Sequence, residues 1–250
     1  MIGYLVHIDG ALTREYDAVD PTIDKKVIAR FEEVARAGAK VAFLTARSEK
    51  WLDQHLLPLI DAADFLVLGE YGDFRVWNDQ RSWDNEAQEF EQRYRELLKN
   101  RVAAIARSYG VKVKTDDRDY EPKSGELWFA VGVGLLAVRT NPNHSGFGAK
   151  LDADLVYKIA QQAVADSGGA QAEFDIKKTP ISTVISRRGV NLERATRIAV
   201  ATLDPEDFVD VWYALGRTSD EAMAYDPKIE FVSVEPKASK ATWEFLSKVA

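Results

Sequence analysis

The stretch GYLVHIDGALT, residues 3–13, decides the fold of this chain. Residues 4–8 form a short apolar run bounded by turn residues, a pattern typical of a fully buried strand. The turn that follows carries Asp9 and Gly10, and His7 stands just before it. A carboxylate directly after a buried strand is well placed to act on a ligand. The stretch therefore predicts a central strand whose end carries chemistry.

Strand and helix patterns alternate along the chain from this stretch onward. Pro21 and Asp24 open a helical pattern that Gly38 ends, and residues 40–44 predict a second strand. Ser48 is placed to cap the next helix, and residues 65–68 predict a third strand. Such alternation is the pattern of a parallel sheet covered by helices.

The middle of the chain has a different pattern, which favours an α+β insert. The elements predicted there are a hairpin (70–78), a long charged helix (85–108), strands (111–114, 127–133 and 135–139), a loop (141–150) and a helix (151–166). The α/β pattern returns with a strand at 183–186 and continues to a closing helix at 241–249. We therefore expect a split core, residues 1–80 and 180–250, with a cap inserted at 81–179.

The composition excludes several classes of function. The formal net charge of -7 and the pI of about 5.2 argue against broad nucleic-acid binding, which needs a basic face. The chain has no cysteine, which excludes disulfides, thiolate catalysis and cysteine-ligated zinc. The N-terminus lacks a signal-peptide pattern, and no apolar run approaches the roughly 20 residues that span a bilayer. We expect a cytoplasmic protein that binds neither nucleic acid nor membranes.

Four short motifs, each at the end of a predicted core strand, resemble motifs of the haloacid-dehalogenase superfamily. They are HIDGAL (7–12), FLTARS (43–48), RRGVNLERA (187–195) and GRTSDEAM (216–223). The chain looks most like the trehalose-6-phosphate phosphatase group of that superfamily, and the resemblance runs over nearly its whole length. It implies a Rossmannoid three-layer α/β core with a parallel sheet and an inserted α+β cap.

The resemblance also implies roles for single residues. In the family the first motif reads Asp-x-Asp-Gly-Thr, in which the first aspartate attacks phosphorus and the second is general acid and then base. By this resemblance His7 stands at the nucleophile position and Asp9 matches the general acid/base. Gly10 matches the glycine that lets backbone amides approach an anion, and Thr45 matches a hydroxyl that holds the phosphoryl oxygens.

Three departures from the family pattern affect one mechanism. His7 replaces the nucleophilic aspartate, and Leu192 replaces a phosphate-binding lysine. The Gly-Asp pair that begins the fourth motif in the family aligns with Gly216-Arg217 or with Leu215-Gly216, and neither alignment supplies the acid that holds magnesium. Losing one well-placed electrostatic group costs on the order of 10²–10³ in rate. We therefore expect the phosphatase chemistry to be lost and no cofactor to be needed. Mg²⁺ is expected only if the chain is a working phosphatase, with Asp220 as a candidate ligand.

The arginines of the motifs have two interpretations. One alignment places Arg217 where the family has a metal-binding acid, so its guanidinium would take over the electrostatic role of magnesium. With Arg47 and Arg188 on neighbouring motif loops, it would form a metal-free anion site. In the other interpretation these arginines are salt-bridged to Asp9 and Asp220, which closes the site.

Three functions stay open at this point. The leading one is an inactive phosphatase-like protein that binds a phosphorylated small molecule or a protein partner in a cleft between core and cap. The second is a working sugar-phosphate phosphatase that uses the histidine or recruited acids such as Asp20 or Asp210. The third is a structural or interaction subunit whose cleft is closed.

Overall fold

The computed structural model describes residues 1–13, 22–60, 65–114, 126–140, 153–168, 173–178 and 182–249. The chain divides into two compact units, the first formed by Met1–Trp83 with Val190–Ala250 and the second by Asp84–Gly189. The expectations for Pro21, Asp20, the loop 141–150 and the helix start at Leu151 lie outside the described residues.

The first unit begins with alternating strands and helices, as the apolar patterns predict. Its elements are β1 (Ile2–His7), α1 (Lys25–Arg36), β2 (Lys40–Leu44), α2 (Glu49–His55), β3 (Leu66–Gly69), β4 (Phe74–Trp77) and β5 (Gln80–Trp83). The Asp24 carboxylate caps α1 by accepting the backbone N–H of Lys26 at 3.1 Å. Ser48 stands at the N-cap position of α2, but its side chain makes no capping hydrogen bond, so that expectation is wrong. The hairpin expected over 70–78 starts at Phe74, because residues 70–72 form a tight turn.

The second unit consists of helices packed on a mostly antiparallel sheet. Its elements are α3 (Asn85–Phe90), a π-helical turn (Glu91–Arg95), α4 (Glu96–Ser108), β6 (Lys112–Lys114), β7 (Glu126–Val131), β8 (Leu135–Thr140), α5 (Ala153–Ala165), β9 (Phe174–Lys178) and β10 (Ser182–Arg187). The strand order is β6-β7-β8-β10-β9, with β6 and β7 parallel and the other pairs antiparallel. The long helix expected over 85–108 is interrupted by the π-helical turn at Glu91–Arg95.

The chain then returns to the first unit. The returning elements are α6 (Leu192–Leu203), β11 (Val211–Gly216), β12 (Ile229–Ser233) and α7 (Ser239–Val249). The seven-stranded sheet has the order β12-β11-β1-β2-β3-β4-β5, and its first five strands are parallel. The strand near 183–186 was expected in this sheet, but β10 pairs with β8 and β9 of the second unit. The second core segment therefore begins at Val190 and not at 180.

Both faces of β1 are buried, which explains its apolar sequence. Tyr4 and Val6 pack in one cluster with Phe31 of α1, and Leu5 packs in another with Ala199 of α6. This arrangement is a mixed α/β fold with a predominantly parallel sheet between helical layers. Because its sides are covered, β1 presents polar groups to a ligand only at its end. Across the described ranges, no helix combines the length and apolar character needed to cross a membrane.

Candidate functional site

The carboxyl ends of three parallel strands meet at one edge of the sheet. β1 lies between β11 and β2, with Val6 opposite Leu215 and His7 opposite Leu44. The last residue of β1 and the residues that follow these three strands bring six polar side chains together, which we call the edge cluster. Its members are His7, Asp9, Thr45, Arg47, Arg217 and Asp220. Ligands of open parallel sheets bind at such an edge.

The turn after β1 depends on a glycine. Gly10 has a φ of 124°, a left-handed conformation that favours glycine, and its N–H donates to Thr13 Oγ1 at 3.2 Å. A Cβ at this position would lie 2.8 Å from Cγ of Arg217. The stem of Arg217 therefore lies directly against the turn that carries Asp9, and a side chain at position 10 would displace it.

Asp9 is held by the two groups expected to bind an anion. Arg47 donates to Asp9 Oδ1 from Nε at 3.0 Å and from Nη2 at 2.6 Å, and Thr45 Oγ1 donates to Oδ2 at 2.9 Å. Burial alone would raise the pKa of Asp9, but the Arg47 charge and hydrogen bonds, with the charge of His7 and the bond from Thr45, hold that pKa well below its usual range. Asp9 is therefore a carboxylate that accepts hydrogen bonds and has no proton to donate near neutral pH.

Arg47 itself is fixed by its surroundings. Its Cζ lies 4.9 Å from the centre of the Trp51 ring, and its backbone N–H donates to Thr45 Oγ1 at 3.0 Å. Its side chain is largely buried. The pair of Asp9 and Arg47 is thus a buried ion pair with a defined geometry.

His7 and Asp220 form the second pair of the cluster. His7 Nδ1 lies 2.7 Å from Asp220 Oδ2, which also accepts the backbone N–H of Arg217 at 2.9 Å. Burial would raise the pKa of Asp220, but the hydrogen bond and charge of His7, with lesser contributions from Arg217, lower it. Because an ionised carboxylate only accepts hydrogen bonds, Nδ1 carries a proton. In the neutral ring, Nε2 then carries the lone pair.

The carboxylates of the edge cluster are not arranged to bind magnesium. Mg²⁺ prefers carboxylate oxygens in octahedral geometry. Here Asp9 is engaged by Arg47 and Thr45, and Asp220 accepts from His7 and Arg217, whose Nε lies 3.7 Å from Asp220 Oδ2. Within the described ranges, no group of three or more histidine and acidic side chains is arranged to hold a metal ion. The structure places Asp220 as the partner of His7.

Tyr71 lies near the cluster, although no sequence pattern singled it out. Its ring is buried, and burial raises the pKa of its hydroxyl, with further increases from the charges of Asp9 and Asp220. The N–H of Tyr71 donates to the carbonyl of Thr45 at 2.9 Å, which places the turn that carries Tyr71 beside the cluster. The sequence predicted a hairpin over 70–78, but no local pattern revealed which of its side chains would lie near the strand ends.

Arg188 belongs to the second unit, and Leu192 is not a member of the edge cluster. Arg188 follows β10 in the second unit, where its exposed side chain lies 4.0 Å from Asp175. It helps to line a cavity of about 370 Å³ within that unit, together with Phe90, Tyr94 and Phe174. Arg188 was expected on a core loop, and this is wrong because β10 belongs to the second sheet. Leu192 is buried in the core of the first unit.

Asp210 is also not a member of the cluster. It lies just before β11, at the opposite end of the strand from Arg217, and its carboxylate pairs with the N-terminal amine of Met1. Its side chain is 82% exposed. Asp210 is therefore not a recruited catalytic acid, whereas Asp20 lies outside the described residues.

Three solved structures indicate which fold this is. A trehalose-6-phosphate phosphatase related protein gives a TM-score of 0.63 at 14% identity, covering 100% of this chain and 96% of that one. A trehalose-6-phosphate phosphatase of Aspergillus fumigatus gives 0.57 at 13% identity, covering 100% and 93%. An IMP-nucleotidase of Plasmodium falciparum gives 0.59 at 11% identity, covering 99% of this chain and 62% of that one.

Sequence comparison adds nothing to these matches. A scan against protein-family models and a search among curated proteins both find no match. Identities of this size establish the fold and leave the activity open. The chain has the mixed α/β fold of haloacid-dehalogenase-like phosphatases, and the edge cluster lies at the strand ends of its parallel sheet.

Proposed function

We propose that this chain is a phosphatase-like protein without phosphatase activity that binds a phosphorylated small molecule at the edge cluster. The observation that carries the proposal is the buried contact of His7 with Asp220, with Arg217 beside it. An imidazole and a guanidinium stand where phosphoryl transfer by the family route needs carboxylates and a divalent ion. The cytoplasmic location expected from the sequence remains a prediction.

The loss of activity follows from the charges. Phosphoryl transfer depends on cations that neutralise the transferred oxygens and on an acid that protonates the leaving group. Asp9 is held ionised by Arg47, so it is a poor acid. Asp220 is engaged by His7 and by the backbone of Arg217. Among the described residues on this edge, none combines the nucleophile and the metal ligand that the family mechanism uses.

The binding role rests on Arg217. Of the two guanidinium groups in the cluster, Arg217 is the more exposed, at 22% of its side chain against 7% for Arg47. Its stem lies against Gly10, so its head is held near the turn after β1. A guanidinium forms bidentate, charge-assisted hydrogen bonds with phosphoryl oxygens.

Two measurements test this proposal. Hydrolysis of p-nitrophenyl phosphate with Mg²⁺ should not exceed that of His7→Ala. Inorganic phosphate and sugar phosphates should raise the unfolding temperature without Mg²⁺, and Arg217→Gln should abolish the increase. Arg81→Gln is the matched control, because Arg81 is an exposed arginine paired with Glu49 and Asp53. Magnesium-dependent turnover in the unsubstituted protein would contradict the proposal.

A second candidate is a metal-free phosphatase that uses His7 as nucleophile. The contact of Nδ1 with Asp220 favours it, because a carboxylate that fixes one ring nitrogen leaves the other for attack on phosphorus. This candidate predicts that an acid-labile phosphohistidine forms when the protein is mixed with an activated phosphate ester and the reaction is rapidly quenched. The phosphohistidine should be absent in His7→Ala. Detection of that intermediate would replace the first proposal.

The third candidate, a protein that binds only another protein, predicts neither response. A protein partner that co-purifies with the chain, together with no effect of phosphate on unfolding, would favour it over both alternatives.

A further inference from the structure

We infer that Tyr71 donates a hydrogen bond directly to the phosphoryl oxygens of the bound ligand, as the neutral replacement for the ammonium missing at Leu192. The inference rests on the proposed function, because it adds a residue to the same binding site. It names the ligand as a small phosphomonoester or free phosphate, recognised by one guanidinium and one phenol.

The turn that carries Tyr71 has an unusual backbone. Glu70, Tyr71 and Gly72 have φ values of 50°, 56° and 94°, so three consecutive residues are left-handed and two of them have side chains. Left-handed residues with side chains are strained, and such strain persists only where the surrounding contacts enforce it. Strained turns of this kind cluster at ligand sites, and this one lies against the edge cluster.

Hydrogen bonds from the neighbouring loop enforce this conformation. The N–H of Glu70 donates to the carbonyl of Arg47 at 3.1 Å, and the N–H of Tyr71 donates to the carbonyl of Thr45 at 2.9 Å. Thr45 and Arg47 are the residues whose side chains hold Asp9. The position of Tyr71 is thereby fixed relative to the anion-binding side chains.

A guanidinium anchors the other side of the turn. Arg194, on the first turns of α6, donates from Nη1 to the carbonyl of Tyr71 at 3.0 Å and lies 3.1 Å from the buried carboxylate of Asp73. Arg194 is therefore a positioning residue, which acts on the ligand through Tyr71. Two residues before it in the chain, Leu192 is directed into the core.

The phenol adds a hydrogen-bond donor to a site that already contains two guanidinium groups. Arg47 and Arg217 face Asp9 and Asp220, and an ammonium beside them would add a further positive charge in the absence of ligand. A phenol adds a donor without a charge. Burial and the nearby carboxylates raise the pKa of Tyr71, so the hydroxyl keeps its proton at neutral pH.

Substitution of Tyr71 by phenylalanine tests the inference. Tyr71→Phe keeps the ring and the backbone but removes the hydroxyl, and a hydrogen bond to a charged group is worth roughly tenfold to a hundredfold in affinity. We expect the dissociation constant of inorganic phosphate, measured by calorimetry on the full chain, to rise by about that factor. Tyr225→Phe is the control, because the Tyr225 ring packs on Arg197 at 3.8 Å and should leave phosphate affinity unchanged.

The outcomes separate this inference from the proposed function. If the unsubstituted protein binds phosphate and Tyr71→Phe binds it equally well, the role of Tyr71 is wrong and the proposed function stands. If the unsubstituted protein does not bind phosphate, both are wrong. Should Tyr71→Phe fold poorly, Tyr71→Asn tolerates the left-handed backbone and must show the same loss. Arg194→Met alone should weaken phosphate binding. Added to Tyr71→Phe, it should weaken phosphate binding no further.

Discussion

A pair of side chains or terminal groups that can carry opposite charges connects β1 with β11 or its flanking residues at each end of the two strands. The two pairs differ in burial. At the carboxyl ends His7 and Asp220, each 3% exposed, meet at 2.7 Å. At the other ends the amine of Met1 pairs with Asp210, whose side chain is 82% exposed. Water screens the second pair, so it adds little to stability. The buried pair contributes to the fold as well as to any ligand site.

The buried ion pair of Asp9, after β1, with Arg47, after β2, should show the largest effect on the free energy of unfolding. Arg47→Met removes the partner of a buried carboxylate and should lower the free energy of unfolding by about 3–5 kcal/mol. Urea denaturation followed by circular dichroism measures it. Arg81→Met removes an exposed, paired arginine and should change little. Equal effects of the two substitutions would show that the burial of Asp9 is not what matters.

Acid should reveal the buried carboxylates as a pH-dependent loss of stability. The pKa values of Asp9 and Asp220 are lowered in the folded protein, below the usual aspartate value of about 3.9. Their contribution is therefore complete above that value and is lost as the pH falls towards the folded-state pKa. Urea unfolding between about pH 5 and about pH 2 should show this decline, and Asp9→Asn should flatten it. An unchanged slope in Asp9→Asn would contradict the assignment.

A direct test of the comparison places the same substitution at both ends of β11. Asp220→Asn keeps the size of the side chain but weakens the contact with His7, and should cost about 1–3 kcal/mol in free energy of unfolding. Asp210→Asn should leave the free energy of unfolding unchanged within error, because the carboxylate is exposed. A larger loss from Asp210→Asn would reverse the conclusion drawn from burial.

The smallest effect concerns the turn after β1. Gly10→Ala adds a Cβ 2.8 Å from Arg217 at a left-handed backbone, and should cost about 1 kcal/mol or more. Gly38→Ala is the control, since Gly38 is also left-handed but its Cβ would meet no atom within 4 Å. The difference between the two, measured by urea denaturation, isolates the contact with Arg217. If both substitutions cost the same, only backbone strain is involved.

Local sequence patterns predicted most strands and helices of the first unit, but not β5. The apolar run of β1 and the helical spacing in α1 depend on burial of their own residues, so the pattern carries the answer. His7, Asp9, Thr45, Arg47, Arg217 and Asp220 lie together because each ends or follows a parallel strand of one sheet. That geometry is implied by the order of the strands, which is why the edge cluster could be anticipated.

Other features depend on partners that a local pattern does not reveal. The strand at 182–187 has the same apolar character in either sheet, and only pairing with β8 and β9 assigns it to the second unit. Arg188 was misplaced for that reason. Tyr71 was missed because its left-handed backbone is enforced by the carbonyls of Thr45 and Arg47, which are distant in sequence. The pair of Asp9 with Arg47 belonged to one of two open interpretations; the side-chain geometry shows that pair, and the anion-binding role of Arg217 stays a proposal.

The burial of Leu192 limits how this molecule can change. A lysine there would bring an ammonium into an apolar core and destabilise the fold before any catalytic partner existed. Replacing His7 by aspartate alone would set a second carboxylate against Asp220, and repulsion would disfavour it. Both single substitutions towards the magnesium-dependent site of the family are thus expected to destabilise the fold. Building such a site in this chain would need several simultaneous changes.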